Sequence, residues 1–109
     1  MGLKRGDLVI VSAPGSYGKP RPALVIQSDI YDGNGSLAVL LMTTHVDPDI
    51  PLLRHTLQPC EANGLLATTD VMIDKIFTIP RDRMGQRIGH LTSSEMTEIT
   101  SAFALFVGM

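Results

Sequence analysis

Apolar residues in this chain gather into short runs separated by turn formers, and the period of the pattern changes once, near residue 92. Leu8-Val9-Ile10-Val11 is apolar and β-branched, which predicts a strand. It stops at Ala13-Pro14-Gly15-Ser16-Tyr17-Gly18, whose proline and glycines forbid regular continuation. Pro22-Ala23-Leu24-Val25-Ile26-Gln27 resumes the strand pattern until Asp32-Gly33-Asn34-Gly35, residues that tolerate positive φ. Leu37-Ala38-Val39-Leu40-Leu41-Met42 is apolar on both faces, as suits a central strand covered on each side. Pro48 and Pro51 bracket an irregular connection. Beyond it, residues 52–57 predict an exposed strand, residues 59–64 a turn, and residues 65–68, 71–73 and 76–79 further short strands.

The last segment reads differently. Thr92-Ser93-Ser94-Glu95 has the form of a capping box, in which a hydroxyl and a carboxylate satisfy the backbone donors left free at a helix start. Met96, Ile99, Phe103, Phe106 and Val107 then recur at helical spacing and form one apolar stripe. Several short strands followed by one amphipathic helix predict an α+β fold, a strongly curved antiparallel sheet or small barrel with a C-terminal α-helix laid across it. With no linker or repeat, residues 1–109 are expected to form a single domain.

Composition narrows the picture. At 44% hydrophobic residues the chain can build a core without staples. The lone Cys60 offers neither an internal disulfide nor a redox pair, and no Cys/His cluster suggests zinc. No cofactor or metal is expected, and no membrane partner, because no apolar stretch is long enough to span a bilayer. A cytoplasmic location is the default expectation. A net charge of −2 argues mildly against nucleic acid. Even so, Lys19, Arg21, Arg54, Arg81, Arg83 and Arg87 are available to line one groove.

The order Lys4-Arg5-Gly6-Asp7-Leu8-Val9-Ile10-Val11, a Gly/Ser loop, then Arg21-Pro22-Ala23-Leu24-Val25-Ile26-Gln27 resembles the opening of the MazF/PemK (Kid) toxin family. Met42-Thr43-Thr44 ends the third strand as that family does. The segment from Asp70 to Ile79 and Ile88-Gly89-His90-Leu91 before the last helix are also similar, so the likeness spans essentially the whole chain. It implies the CcdB/MazF/PemK-like toxin fold, an SH3-like barrel with an appended helix. It further implies a homodimer that cuts single-stranded mRNA and is neutralised by an acidic antitoxin of the MazE/PemI type. The chain departs from the family in its short loop Gly15-Ser16-Tyr17-Gly18-Lys19-Pro20, which lacks the acid or histidine often found there. It departs again at Met72, where the Kid branch carries an arginine.

Cutting RNA without a metal needs attack by the neighbouring 2′-hydroxyl on phosphorus, a base to take its proton, a cation for the phosphorane charge, and an acid for the leaving 5′-oxygen. The products are a 2′,3′-cyclic phosphate and a 5′-hydroxyl. Arg21 suits the cationic role, since a guanidinium offers paired donors to phosphate oxygens and stays protonated. Read plainly it is a surface charge, but Pro20 and Pro22 stiffen the backbone on either side. Thr43 matches the family threonine at the scissile region, although threonine is also an ordinary strand-end residue. Asp74 matches the acidic position of Kid-like members and is base, RNA contact or solvent-facing bystander.

Further RNA-binding candidates are Ser16, Tyr17, Lys19, Thr44 and His45. Ser16 and Lys19 would meet phosphates if their loop closes over RNA, and Tyr17 offers a ring for a splayed base. Thr44 and His45 alternate faces, so only one of them can point with Thr43. His45 is either a proton shuttle or a solvated loop residue. Two rivals remain. A CcdB-like toxin would bind DNA gyrase and cut nothing, and a plain SH3-like module would need an aromatic groove that a chain without Trp is poorly supplied to build.

Overall fold

A computed structural model of the chain describes residues 2–12 and 19–109; Ser16 and Tyr17 lie outside the described residues. Six strands and one helix follow in order: β1 (Asp7–Val11), β2 (Arg21–Val25), β3 (Ser36–Thr43), β4 (Arg54–Leu57), β5 (Thr69–Pro80), β6 (Met84–His90) and α1 (Ser93–Phe106). Short 3-10 turns occupy Asp29–Tyr31 and Arg81–Arg83. The strands form one antiparallel sheet in the order β4-β5-β3-β2-β1-β6. The doubly apolar β3 sits near its middle, as its composition predicts.

The sheet is not closed by strand pairing, yet its edges are bridged. The connection leaving β4 runs against β6, where the His90 amide donates to the Ala62 carbonyl at 3.0 Å. Buried Asn63 shapes this connection: its Oδ1 accepts from the Cys60 and Leu65 amides at 3.0 Å, and its Nδ2 donates to the Gln58 carbonyl at 2.9 Å. The approach is so close that a Cβ at Gly89 would stand 2.4 Å from the Asn63 carbonyl carbon. Bridged in this way, the curved sheet is consistent with the expected barrel-like class.

Three details differ from the sequence reading. Residues 65–68 are not a strand. Instead, this stretch tucks Leu65 into the core while Leu66 faces solvent. The separate strands expected at 71–73 and 76–79 are one strand, β5, with an irregularity opposite Leu40 and Met42. β6 was not expected at all, because Met84-Gly85-Gln86-Arg87-Ile88-Gly89-His90 has no run of alternating apolar residues; as an edge strand it needs only backbone pairing with β1.

Both faces of the sheet carry apolar clusters. Leu8, Leu24, Leu40, Met42, Val71 and Ile73 pack on one side with Met96 and Ile99 of α1. Val9, Val11, Ala23, Val25, Val39 and Leu41 lie on the other. The helix starts with the expected reciprocal cap: the Glu95 amide donates to Thr92 Oγ1 at 3.1 Å, and the Thr92 amide donates to Glu95 Oε1 at 2.8 Å. Its stripe holds only in part. Met96 and Ile99 are buried and Phe103 is half-buried, whereas Phe106 and Val107 are exposed. Arg5 ties the helix down by donating to the Ile26 carbonyl and to the Thr100 hydroxyl. Among the described residues, no helix is long and apolar enough to cross a membrane.

Candidate active site

β1 pairs β2 with Val11 opposite Arg21, so the half-buried Arg21 shares the sheet face of Val11. β2 pairs β3 with Ala23 opposite Leu41. Continued two residues toward the strand ends, that register sets Arg21 opposite Thr43. Facing residues of an antiparallel pair stand about 5 Å apart at Cα and project to the same side. Pro20 and Pro22 hold φ on both sides of the arginine, which restricts the backbone carrying it. Two residues separated in the chain are thereby brought to the same end and face of two adjacent strands.

The next strand extends the row. Thr43 pairs with Asp70 of β5, and Asp70 pairs with Thr56 of β4. Asp70 is fully buried. Its carboxylate accepts from Thr56 Oγ1 at 2.5 Å, from the Asp47 amide at 3.0 Å and from Arg54 Nη1 at 3.2 Å. Burial pushes the Asp70 pKa up, but the hydrogen bonds from Thr56, Asp47 and Arg54, with the attraction of the Arg54 charge, prevail and leave it below the ordinary 3.8. The group is thus held as an anion beside the candidate residues. In the sequence Arg54 is one of several cations available to line a groove, and nothing in Thr68-Thr69-Asp70-Val71 signals that Asp70 is buried.

The other candidates scatter. Lys19 is exposed ahead of β2. Asp74 lies four residues beyond Asp70, within the irregular stretch of β5 between the Val71–Met42 and Ile76–Leu40 pairings. There it sits 3.8 Å from Lys75 Nζ. Thr44 lines a hollow of about 260 Å³ with Ile10, Pro22 and Ile88. Ile10 and Pro22 alternate with Val11 and Arg21, so this hollow opens on the other side of the strand ends. His45 is exposed, and its backbone does the work: its amide donates to Thr43 Oγ1 at 3.0 Å and its carbonyl accepts from Arg54 Nη1 at 3.1 Å. His90 is exposed, with Nδ1 3.3 Å from Arg87 Nη2. A larger hollow of about 490 Å³, between α1 and Asp29, lies on the helix side and includes none of the candidates.

This arrangement suits chemistry on a phosphodiester. Arg21 can donate to non-bridging oxygens, and Thr43 supplies a hydroxyl beside it, whose oxygen already accepts from the His45 amide and whose proton is left to donate outward.

Comparison with known proteins places the geometry in a family. A model of the PemK-like, MazF-like toxins of type II toxin-antitoxin systems matches residues 4–107. The chain is 41% identical over 108 residues to a protein of Mycolicibacterium smegmatis named probable endoribonuclease MazF, covering 98% of each. Among solved structures, an endoribonuclease in complex with its cognate antitoxin from a mycobacterial species superposes with a TM-score of 0.81 at 22% identity, covering 99% of this chain and 97% of that one. A chain of the MazE-MazF crystal structure from Deinococcus radiodurans gives 0.77 at 22% identity, covering 100% of this chain and 98% of that one. At that identity the solved structures establish the fold, while the match over residues 4–107 establishes kinship: the chain belongs to the PemK-like, MazF-like toxin family of type II toxin-antitoxin systems.

Proposed function

We propose that this chain is the toxin of a type II pair, a sequence-specific endoribonuclease that cuts single-stranded mRNA by intramolecular transesterification and thereby stops translation and growth. The observation that carries the reading is the β2–β3 register, Ala23 opposite Leu41, which continued to the strand ends brings Arg21 across from Thr43, in a chain 41% identical to a probable endoribonuclease. Arg21 stabilises charge on the phosphorane, and Thr43 hydrogen-bonds the reacting group. Because the nucleophile is the substrate's own 2′-hydroxyl, the reaction needs no metal-bound water, and its ends are a 2′,3′-cyclic phosphate and a 5′-hydroxyl. Ser16, Tyr17 and Lys19 are assigned to RNA binding from the loop before β2. Asp74, on the irregular stretch of β5, is assigned to the reaction as base or RNA contact. The family match favours this reading over a CcdB-like toxin that binds gyrase.

The remaining assignments follow from kinship. The working unit is a homodimer of single-domain chains spanning 1–109, acting in the cytoplasm. A small acidic antitoxin of the MazE/PemI type binds the toxin over Arg21, folding as it binds.

The test is cleavage of a long single-stranded transcript in excess EDTA, with end chemistry mapped. Wild-type protein is expected to cut and leave cyclic phosphate ends. Arg21→Ala should lose about a hundredfold or more in kcat, the usual scale for removing one donor to a developing anion, with its melting transition retained. Loss of cutting in chelator, or normal cutting by Arg21→Ala, overturns the mechanism.

A further inference from the structure

The polypeptide after Thr43 does not leave the sheet freely. The Thr43 hydroxyl oxygen accepts from the His45 amide, and the His45 carbonyl accepts from Arg54 Nη1. The same Arg54 nitrogen donates to Asp70, whose other hydrogen bonds come from Thr56 and from the Asp47 amide, two residues beyond His45. Two links, one from each member of the Arg54–Asp70 pair, therefore converge on the residues that immediately follow Thr43.

Stability alone does not account for this pair. Its side chains are 16% and 0% exposed, so both charges are largely stripped of water. Apolar residues of similar volume commonly serve a fold as well or better in such places. Met72, the cross-strand neighbour of Arg54, shows that apolar side chains pack on this face. Arg54 Nε is also buried without an acceptor, a further expense that packing does not require. What the pair supplies is direction: the charged donor fixes the His45 peptide from one side, and the anion fixes the Asp47 peptide from the other.

We propose that Arg54 and Asp70 are positioning residues for Thr43, clamping the turn that follows it so that its hydroxyl is held toward the scissile phosphate beside Arg21. The proposal rests on the endoribonuclease reading above. Neither residue touches substrate; each acts through the 44–47 backbone. A misplaced reacting group costs turnover more than binding, so the clamp is a determinant of kcat.

The experiment uses full-length protein and a single-stranded RNA oligonucleotide carrying one cut site mapped with the wild type. Steady-state cleavage is measured for Arg54→Met, Asp70→Asn, Thr43→Ala and the Arg54→Met/Thr43→Ala double variant, with melting curves for each. Arg54→Met and Asp70→Asn are expected to lower kcat by about ten- to a hundredfold with KM within about twofold. In the Thr43→Ala background, Arg54→Met should cost no further activity. A raised KM with intact kcat makes Arg54 a direct RNA contact and overturns the proposal, as do losses that multiply in the double variant. Should Arg54→Met lack a melting transition, the isosteric Asp70→Asn decides alone. Wild-type protein that cuts nothing overturns the parent reading; wild type that cuts, with kcat unaltered in both variants, overturns only the clamp.

Discussion

Asp70 shows how much one residue's meaning depends on its surroundings. In sequence it is an acid at the start of a strand, and such acids are usually solvated. In the structure it is fully buried and accepts from Thr56, Asp47 and Arg54. Its pKa is depressed on folding, so between the folded and unfolded values the unfolded chain binds more protons and stability rises with pH. The contribution is complete above the unfolded value, near pH 4, and is lost as pH falls through the folded one. Thermal melts across an acid series should therefore show wild type losing its advantage over Asp70→Asn on acidification, with the two curves converging at the acid end. Parallel curves would mean that the carboxylate is not held as an anion by folding. Arg21 and Thr43, by contrast, are candidates by their match to family positions, and flanking prolines and a strand end mark where they stand.

Elements with strong periodicity were read correctly, and elements made by pairing were not. β1, β2, β3 and α1 announce themselves through apolar runs, turn formers and a capping box. β6 carries no such pattern and exists because β1 offers it an edge and the connection after β4 lies across it. The glycine of this junction is under steric demand: a Cβ at Gly89 would stand 2.5 Å from the Ala62 carbonyl oxygen, whereas one at Gly33 meets nothing within 4 Å. Gly89→Ala is expected to destabilise the fold by about 1–3 kcal/mol or more, the scale of overpacking against backbone. Gly33→Ala should stay within about 0.5 kcal/mol. Urea denaturation of both variants checks this, and equal midpoints would show that the connection gives way without cost.

For the whole molecule, a net charge of −2 means that RNA is not drawn in by a general positive field. Recognition must come from a few cations placed at the site. Arg54, Arg81 and Arg87 are paired with Asp70, Asp32 and Asp7, which reduces what they offer a phosphate chain. The salt dependence of RNA binding should accordingly be shallow. Each cation that neutralises a phosphate adds about −0.7 to the slope of log affinity against log salt for single strands, so Arg21 alone gives a slope of about that size. A slope several times steeper, measured with an RNA blocked at its 2′-hydroxyl, would show that many more cations converge than this fold provides.

The amino-acid sequence by itself determined the α+β class, the strand and helix starts, the family likeness and the Arg21 and Thr43 pair of candidates. These rest on local rules: side-chain periodicity, turn chemistry, capping and motif order act over a few residues. Only the tertiary structure decided that Arg21 and Thr43 lie on one sheet face, that Asp74 falls in an irregular stretch of β5, that Thr44 turns to the other side, and that Arg54 and Asp70 bind the turn after Thr43. Strand register is set by long-range pairing and by which face is buried, and a shift of one residue would have sent each of these side chains to the opposite face.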